Sequence, residues 1–175
     1  MLADLFLKRR VGGFVYPIAP VPRIAVLVSW FRDFPSGGSN ICIFPRGWTP
    51  TAVAFAPASI AATMDQLVVL AQSPPPLTHA LIVLSRPGAR GVTESQRDWL
   101  WRLFRVPVFE QIVGPEGELL AAECEAHDGL HAEFAEPRLK GETFDTATCP
   151  CGRKTPRIRA LQGAVLEHRM AAYAR

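Results

Sequence analysis

The sequence predicts an α/β domain: a mixed sheet with flanking helices, plus a β-hairpin whose Cys and His residues are placed to be stapled together. Three observations carry this. Apolar runs of strand length alternate with helical patterning between Arg23 and Val113, the sequence pattern of an α/β fold. Thr93-Glu94-Ser95-Gln96 is a capping box, a hydroxyl followed three residues on by an amide, and it starts a helix. Asp128-Gly129 lies between Cys124 and His131 and marks a two-residue hairpin, because both central positions of a type I′ turn need φ > 0.

Taken in order, residues 1–22 read as an irregular N-terminal arm, with at most a turn or two of helix over Leu2 to Leu7 and then glycines and prolines. Arg23 to Trp30 is apolar and β-branched, a buried strand. Ser36-Gly37-Gly38-Ser39 breaks it; such a loop can cradle phosphate, though no lysine follows. Asn40 to Phe44 and Thr51 to Phe55 read as short strands around Pro45-Arg46-Gly47. Pro57 then opens a helix with Ile60, Met64, Leu67, Val68 and Ala71 on one face, ended by Pro74-Pro75-Pro76. Leu77 to Leu84 is nearly continuous in apolar residues, as a strand covered on both faces would be. The capped helix runs to about Arg105, with Trp99, Leu100, Leu103 and Phe104 inward and Arg97, Asp98 and Arg102 facing out or skirting that face. Val108 to Val113 and Leu119 to Glu125 are strands joined by Pro115-Glu116-Gly117, and Ala132 to Leu139 is a polar strand. Residues 23–160 thus form one domain, and 161–175 a tail or terminal helix.

The chemistry concentrates in the hairpin and in Cys149-Pro150-Cys151-Gly152-Arg153. With a tight turn at Asp128-Gly129, His127 pairs with Leu130 and Ala126 with His131. Side chains alternate faces along a strand, so Cys124 and His131 share a face and His127 points away. Cys149 and Cys151 sit on a Pro-Gly loop able to fold across that face. Three thiolates and an imidazole make a closed tetrahedral zinc site. Zinc there is a scaffold, since four protein ligands leave no open position for catalysis. Cys-x-Cys is tighter than the usual Cys-x2-4-Cys knuckle, and a disulfide or plain thiols are the alternatives. His127 is the rival fourth ligand if the turn is not tight. Cys42 stands far upstream in an apolar run and reads as a buried core thiol.

The chain has 175 residues, 49% of them hydrophobic and 20% charged, which fits a globular domain rather than a disordered one. The net charge of +3 is mild and its arginines are scattered, so nucleic acid is not an expected partner. Lys8-Arg9-Arg10 interrupts the first apolar stretch, so no membrane span is expected, and four cysteines without a secretory signal point to a reducing, cytoplasmic setting. The nucleophile elbow, the dinucleotide fingerprint and the phosphate loop ending in Gly-Lys-Ser/Thr are all missing from the sequence. The acids Glu110, Glu116, Glu118, Glu123 and Glu125 read as the wet face of half-exposed strands. Arg86, Arg90 and Arg153 lie on loops beside strand ends, where they could grip an anion such as a nucleotide or CoA phosphate or serve as ordinary surface charge.

The run VPVFEQIVGPEGELLAAECEAHDGLHAEF followed by CPCGRKTPRI resembles the phenylacetate-CoA ligase and CapK-like branch of the adenylate-forming enzymes. Glu123-Cys124 and Gly129-Leu130-His131 match that branch's acidic-Cys hairpin, and Cys149 to Arg153 match a later segment found in members that hold a structural metal. The likeness implies part of an adenylate-forming enzyme core, with zinc held by Cys124, His131, Cys149 and Cys151. The family's Tyr-Gly motif is altered here: Phe109 to Glu116 occupies its place, and Glu116 or Glu118 stands where the family acid stands. The nucleotide loop is not recognisable, and the lid bearing the catalytic lysine would begin where this chain ends. The resulting expectation is a zinc-stabilised domain related to CoA ligases, non-catalytic alone, that binds or assembles with another protein subunit or with itself. The alternative is a reduced ligase that activates a small carboxylic acid with ATP, through AMP and CoA binding.

Overall fold

A computed structural model of the chain describes residues 14–31, 40–133 and 144–158. The Leu2 to Leu7 segment, the Ser36 to Ser39 loop, most of the Ala132 to Leu139 strand and the 161–175 tail lie outside the described residues.

Among the described residues, nine strands form one mixed sheet in the order β2-β1-β3-β4-β5-β6-β7-β9-β8. Its parallel half contains β1 (Ile24–Val26), β2 (Ile41–Ile43), β3 (Ser59–Ala62), β4 (Ala80–Ser85) and β5 (Val108–Val113). Its antiparallel half continues through β6 (Leu119–Glu123), β7 (Leu130–Ala132), β9 (Arg157–Ile158) and β8 (Phe144–Asp145). Strand β5 belongs to both halves. Strands β1 and β4 are buried on both faces, which is why they read as continuous apolar runs.

Helices α2 (Met64–Leu70) and α3 (Glu94–Phe104) cover one face, packing Leu67, Leu70, Leu100 and Phe104 on Ala25, Ile60, Leu81, Val83 and Val108. Phe14 and Phe31 cover part of the other face with Ile24, Val26, Ile82, Leu84 and Phe109. The capping box at Thr93 and Gln96 is present, and Thr63 with Gln66 forms a second one. Arg105, in the left-handed region at φ 58°, ends α3 with its N–H on the Trp101 carbonyl.

Several expectations are corrected. Thr51 to Phe55 is not a strand: Pro50 takes the first position of a short helix, α1 (Pro50–Ala54), where its missing N–H costs nothing. The helix expected from Pro57 begins only at Met64, because Ser59–Ala62 is wholly buried strand. Four residues, Ser-Ile-Ala-Ala, covered on both faces carry no period, and helical spacing with the residues that follow was a coincidence. Trp99 is 38% exposed rather than inward, whereas Arg97 reaches in to pair with Glu123 at 3.1 Å. Cys42 is half-buried on the edge strand β2, not a core thiol. Glu110 and Glu123, read as wet-face acids, are only 5% and 6% exposed. Among the described residues no helix is long and apolar enough to cross a membrane.

Candidate metal centre

Strand β6 delivers Cys124 one residue past its end, and β7 carries His131. The hairpin between them is not the tight turn expected. Ala122, rather than Ala126, faces His131, and Glu123 faces Leu130. The turn chemistry is spread over a longer loop, in which His127 N–H donates to the Cys124 carbonyl (3.1 Å) and both His127 (φ 50°) and Gly129 (φ 83°) are left-handed. The pairing differs from the expected one by four residues. An even shift leaves every side chain on its original face, so Cys124 and His131 still share a face and His127 still points the other way.

Cys149 to Arg153 forms a tight turn, with Gly152 N–H on the Cys149 carbonyl (2.8 Å) and Cys149 N–H on the Arg153 carbonyl (3.2 Å). This turn folds over the shared face. The ligand atoms of Cys124, His131, Cys149 and Cys151 all lie within 4.8 Å of one another, and the first three residues are buried. The Cys124 and Cys149 Sγ atoms are 3.7 Å apart, and Cys151 Sγ lies 3.4 Å from His131 Nε2. A tetrahedron with metal–sulfur arms of 2.3 Å has edges of about 3.8 Å. The spacing and the donor set both suit a thiophilic ion. His131 Nδ1 is 2.8 Å from the Thr155 hydroxyl. With Nδ1–H donating there, the Nε2 lone pair faces the thiols.

The electrostatics favour the same arrangement. Burial, helped by the nearby charge of Arg153, holds the His131 imidazole below its ordinary value and so neutral. Burial pushes the Cys124 thiol up to about 12. Burial acts upward on Cys149 too, but hydrogen bonds from the Cys151 backbone and from the Cys151 and Cys124 thiols, with the charge of Arg157, hold it below the ordinary thiol value. Burial thus opposes ionisation of Cys124, and a divalent cation would supply the compensation it lacks.

Arg157 was not singled out in the sequence, yet it is fully buried beside the cluster on β9. It pairs with Asp128 and, at 2.9 Å, with Asp145, and donates to the carbonyls of Asp128 (3.1 Å) and Ala147 (3.3 Å). It thereby ties the hairpin loop to β8 and to the segment leading into the cysteine turn. Nothing in the local sequence marks it, because its partners come from the hairpin loop and from β8 and the residues after it.

His127 is not in the cluster. Its ring stacks on Phe109, with centroids 4.5 Å apart and planes 18° from parallel, and its Nδ1 lies 3.0 Å from Glu123 Oε1. The other Glu123 oxygen accepts from Glu110 N–H (2.9 Å) and from Arg97 (3.1 Å). Glu110 in turn accepts from the Ser85 hydroxyl (3.0 Å) and Val92 N–H (3.1 Å), and burial raises its carboxyl above the usual range.

Of the other expected anion-binding residues, Arg86 and Glu118 both lie against Gly114. The Arg86 guanidinium lies over the Trp30 ring at 4.0 Å and donates to the carbonyls of Gly114 and Val113. It therefore lies beside the carboxyl ends of β4 and β5. Glu118 lies against Gly114, so closely that a Cβ there would meet its carboxyl at 2.3 Å. Glu116 sits in the exposed β5–β6 turn and Arg90 is exposed on the β4–α3 loop. Arg153, in the cysteine turn, pairs with Glu133 at 3.6 Å.

No protein-family model matches the chain. No curated protein matches it either. Among solved structures it is similar to an open conformation of 2-hydroxyisobutyryl-CoA ligase in complex with 2-HIB-AMP and CoA, with a TM-score of 0.56 and 16% identity. The match covers 81% of this chain and 44% of that one, so the chain spans less than half the length of the ligase it matches. The likeness is one of fold: the mixed α/β sheet with flanking helices resembles part of that structure, and this chain carries a Cys/His cluster able to hold a metal ion.

Proposed function

We propose that this chain is a zinc-stabilised domain related to the CoA ligases, of the phenylacetate-CoA ligase and CapK-like branch, that is non-catalytic alone and serves as a binding or assembly unit for another subunit or for itself. The tetrahedral spacing of Cys124, His131, Cys149 and Cys151 carries the zinc part of this reading. Zinc bound there supplies folding free energy to the antiparallel half of the sheet. The non-catalytic part rests on Arg86. In open α/β sheets ligands bind outside the carboxyl ends of the strands, and here the chain's own guanidinium stacks on Trp30 and bonds to strand-end carbonyls in that region. Acyl adenylation needs preorganised donors free to meet a triphosphate as pyrophosphate leaves. Arg86 already has partners within the protein.

A second reading, a reduced ligase that activates a small carboxylic acid with ATP, draws on the fold shared with a ligase seen with an acyl-adenylate and CoA. One pair of measurements separates them. Elemental analysis of protein purified without added metal should give about one zinc per chain; none would sink the metal reading. Pyrophosphate release with ATP, magnesium and a panel of aryl and short-chain acids should stay at background. ATP- and acid-dependent turnover that disappears on replacing Glu116 or Glu118 would promote the ligase reading.

A further inference from the structure

We propose that His127, although not one of the four ligands, is a positioning residue of the metal centre: it holds the turn that delivers Cys124. This rests on the metal reading above. Cys124 lies one residue beyond β6, and its thiol accepts a hydrogen bond from the Ala126 N–H of the turn that follows. The turn that follows is closed by His127 N–H on the Cys124 carbonyl at 3.1 Å, and it requires His127 to adopt φ 50°. That conformation suits glycine, and a β-carbon resists it. His127 keeps it with its ring held by contacts beyond the turn.

The ring is held on two sides. It lies flat on Phe109 of β5, and Nδ1–H reaches the buried Glu123 carboxylate at 3.0 Å. Glu123 is itself fixed by Glu110 N–H on β5 and by Arg97 on α3. The turn carrying a thiol on one face of the sheet is therefore fastened, through the opposite face, to the strand and helix of the main core. Outer partners of this kind orient a ligand without touching the metal, and their loss typically costs 10- to 100-fold in affinity.

The variant His127→Gly separates backbone from ring, because glycine accepts the left-handed turn while removing both ring contacts. With the full chain in a zinc competition against a chromophoric chelator, the variant should bind roughly tenfold more weakly than wild type. In metal-stripped protein with retained circular dichroism, iodoacetamide should alkylate Cys124 faster in the variant while the rate at Cys42 stays unchanged. Zinc affinity within twofold of wild type and an unchanged Cys124 rate would overturn the proposal. So would equal acceleration at all four cysteines, which reports general loosening instead of a released turn. A wild-type chain that takes up no zinc overturns the metal reading, and the alkylation comparison, made without metal, still decides the role of the ring.

Discussion

Gly129 is where a single methyl group should do most damage to the hairpin. Its φ is +83°, and a Cβ there would lie 2.8 Å from the Ile158 carbonyl oxygen and 3.4 Å from its carbon. Ile158 is paired with Leu130, the next residue, so the carbonyl cannot retreat without opening the β7–β9 ladder. Two costs add in Gly129→Ala. The left-handed conformation costs an alanine roughly 1–2 kcal/mol. The steric conflict costs a further 1–3 kcal/mol or so, as overpacking generally does. Gly88 supplies the control: its φ is +77° and nothing lies within 4 Å of its would-be Cβ. Gly88→Ala should therefore lose only the conformational part, about 1–2 kcal/mol. Denaturant unfolding of both variants at equal metal content gives the difference directly. In thermal melts Gly129→Ala should fall on the order of 10 °C, taking about 2–4 °C per kcal/mol for a chain of this size. Equal losses at the two positions would refute the close approach of Gly129 to β9.

Cys149→Ala and Cys151→Ala should each abolish stoichiometric zinc, whereas Cys42→Ala should keep it, because Cys42 lies on the far edge strand; metal analysis of the three purified variants checks this. Glu110 adds a pH dependence: burial raises its carboxyl in the folded chain, so its contribution is fully present below the unfolded carboxyl value and is lost as pH rises through the folded one. Glu110→Gln should flatten that acidic-range decline in stability, read from denaturant midpoints across pH; an unchanged profile would contradict the burial. Arg157→Met should lower the denaturation midpoint far more than Arg102→Met, since Arg157 is buried against two carboxylates while Arg102 makes an exposed 3.7 Å pair with Asp98; similar shifts would argue against the buried clamp.

What the sequence made legible was local. The Thr93 and Gln96 capping box, the Val108–Val113 strand and the long apolar strand before α3 depend on neighbours a few residues away, and the structure has them. The clustering of Cys124 and His131 was also readable, since it needed only the parity of the strand positions and not the register. The burial of Glu110 and Glu123 was not readable. Acids alternating with apolar residues look the same on a wet face as on a face covered from afar, and here Arg97, Ser85 and the Val92 amide come from other elements. Ser59–Ala62 failed for a related reason: a four-residue strand buried on both faces takes its conformation from β1 and β4, not from its own pattern. Arg86 was placed correctly at a strand end, but nothing in its neighbourhood in sequence announced that Trp30 would be waiting for it.

The two halves of the sheet are unequally provided with core. Among the described residues, the parallel half is packed by two large apolar clusters, whereas the antiparallel half has Leu120, Ala121, Leu130 and Ile158, with Ile112 and Phe144 alongside. So little buried apolar surface cannot make β7, β8 and β9 as resistant to opening as β3 and β4. The domain should then behave as two cooperative units sharing β5, with the Cys/His cluster standing in for the hydrophobic mass that the smaller unit lacks. Chelation would lower the opening free energy of one unit and leave the other near its global value. Amide exchange should show this as faster exchange over Leu130–Ala132 with Ala80–Ser85 unchanged. Metal supply would thus set how often the smaller unit opens without unfolding the rest of the chain.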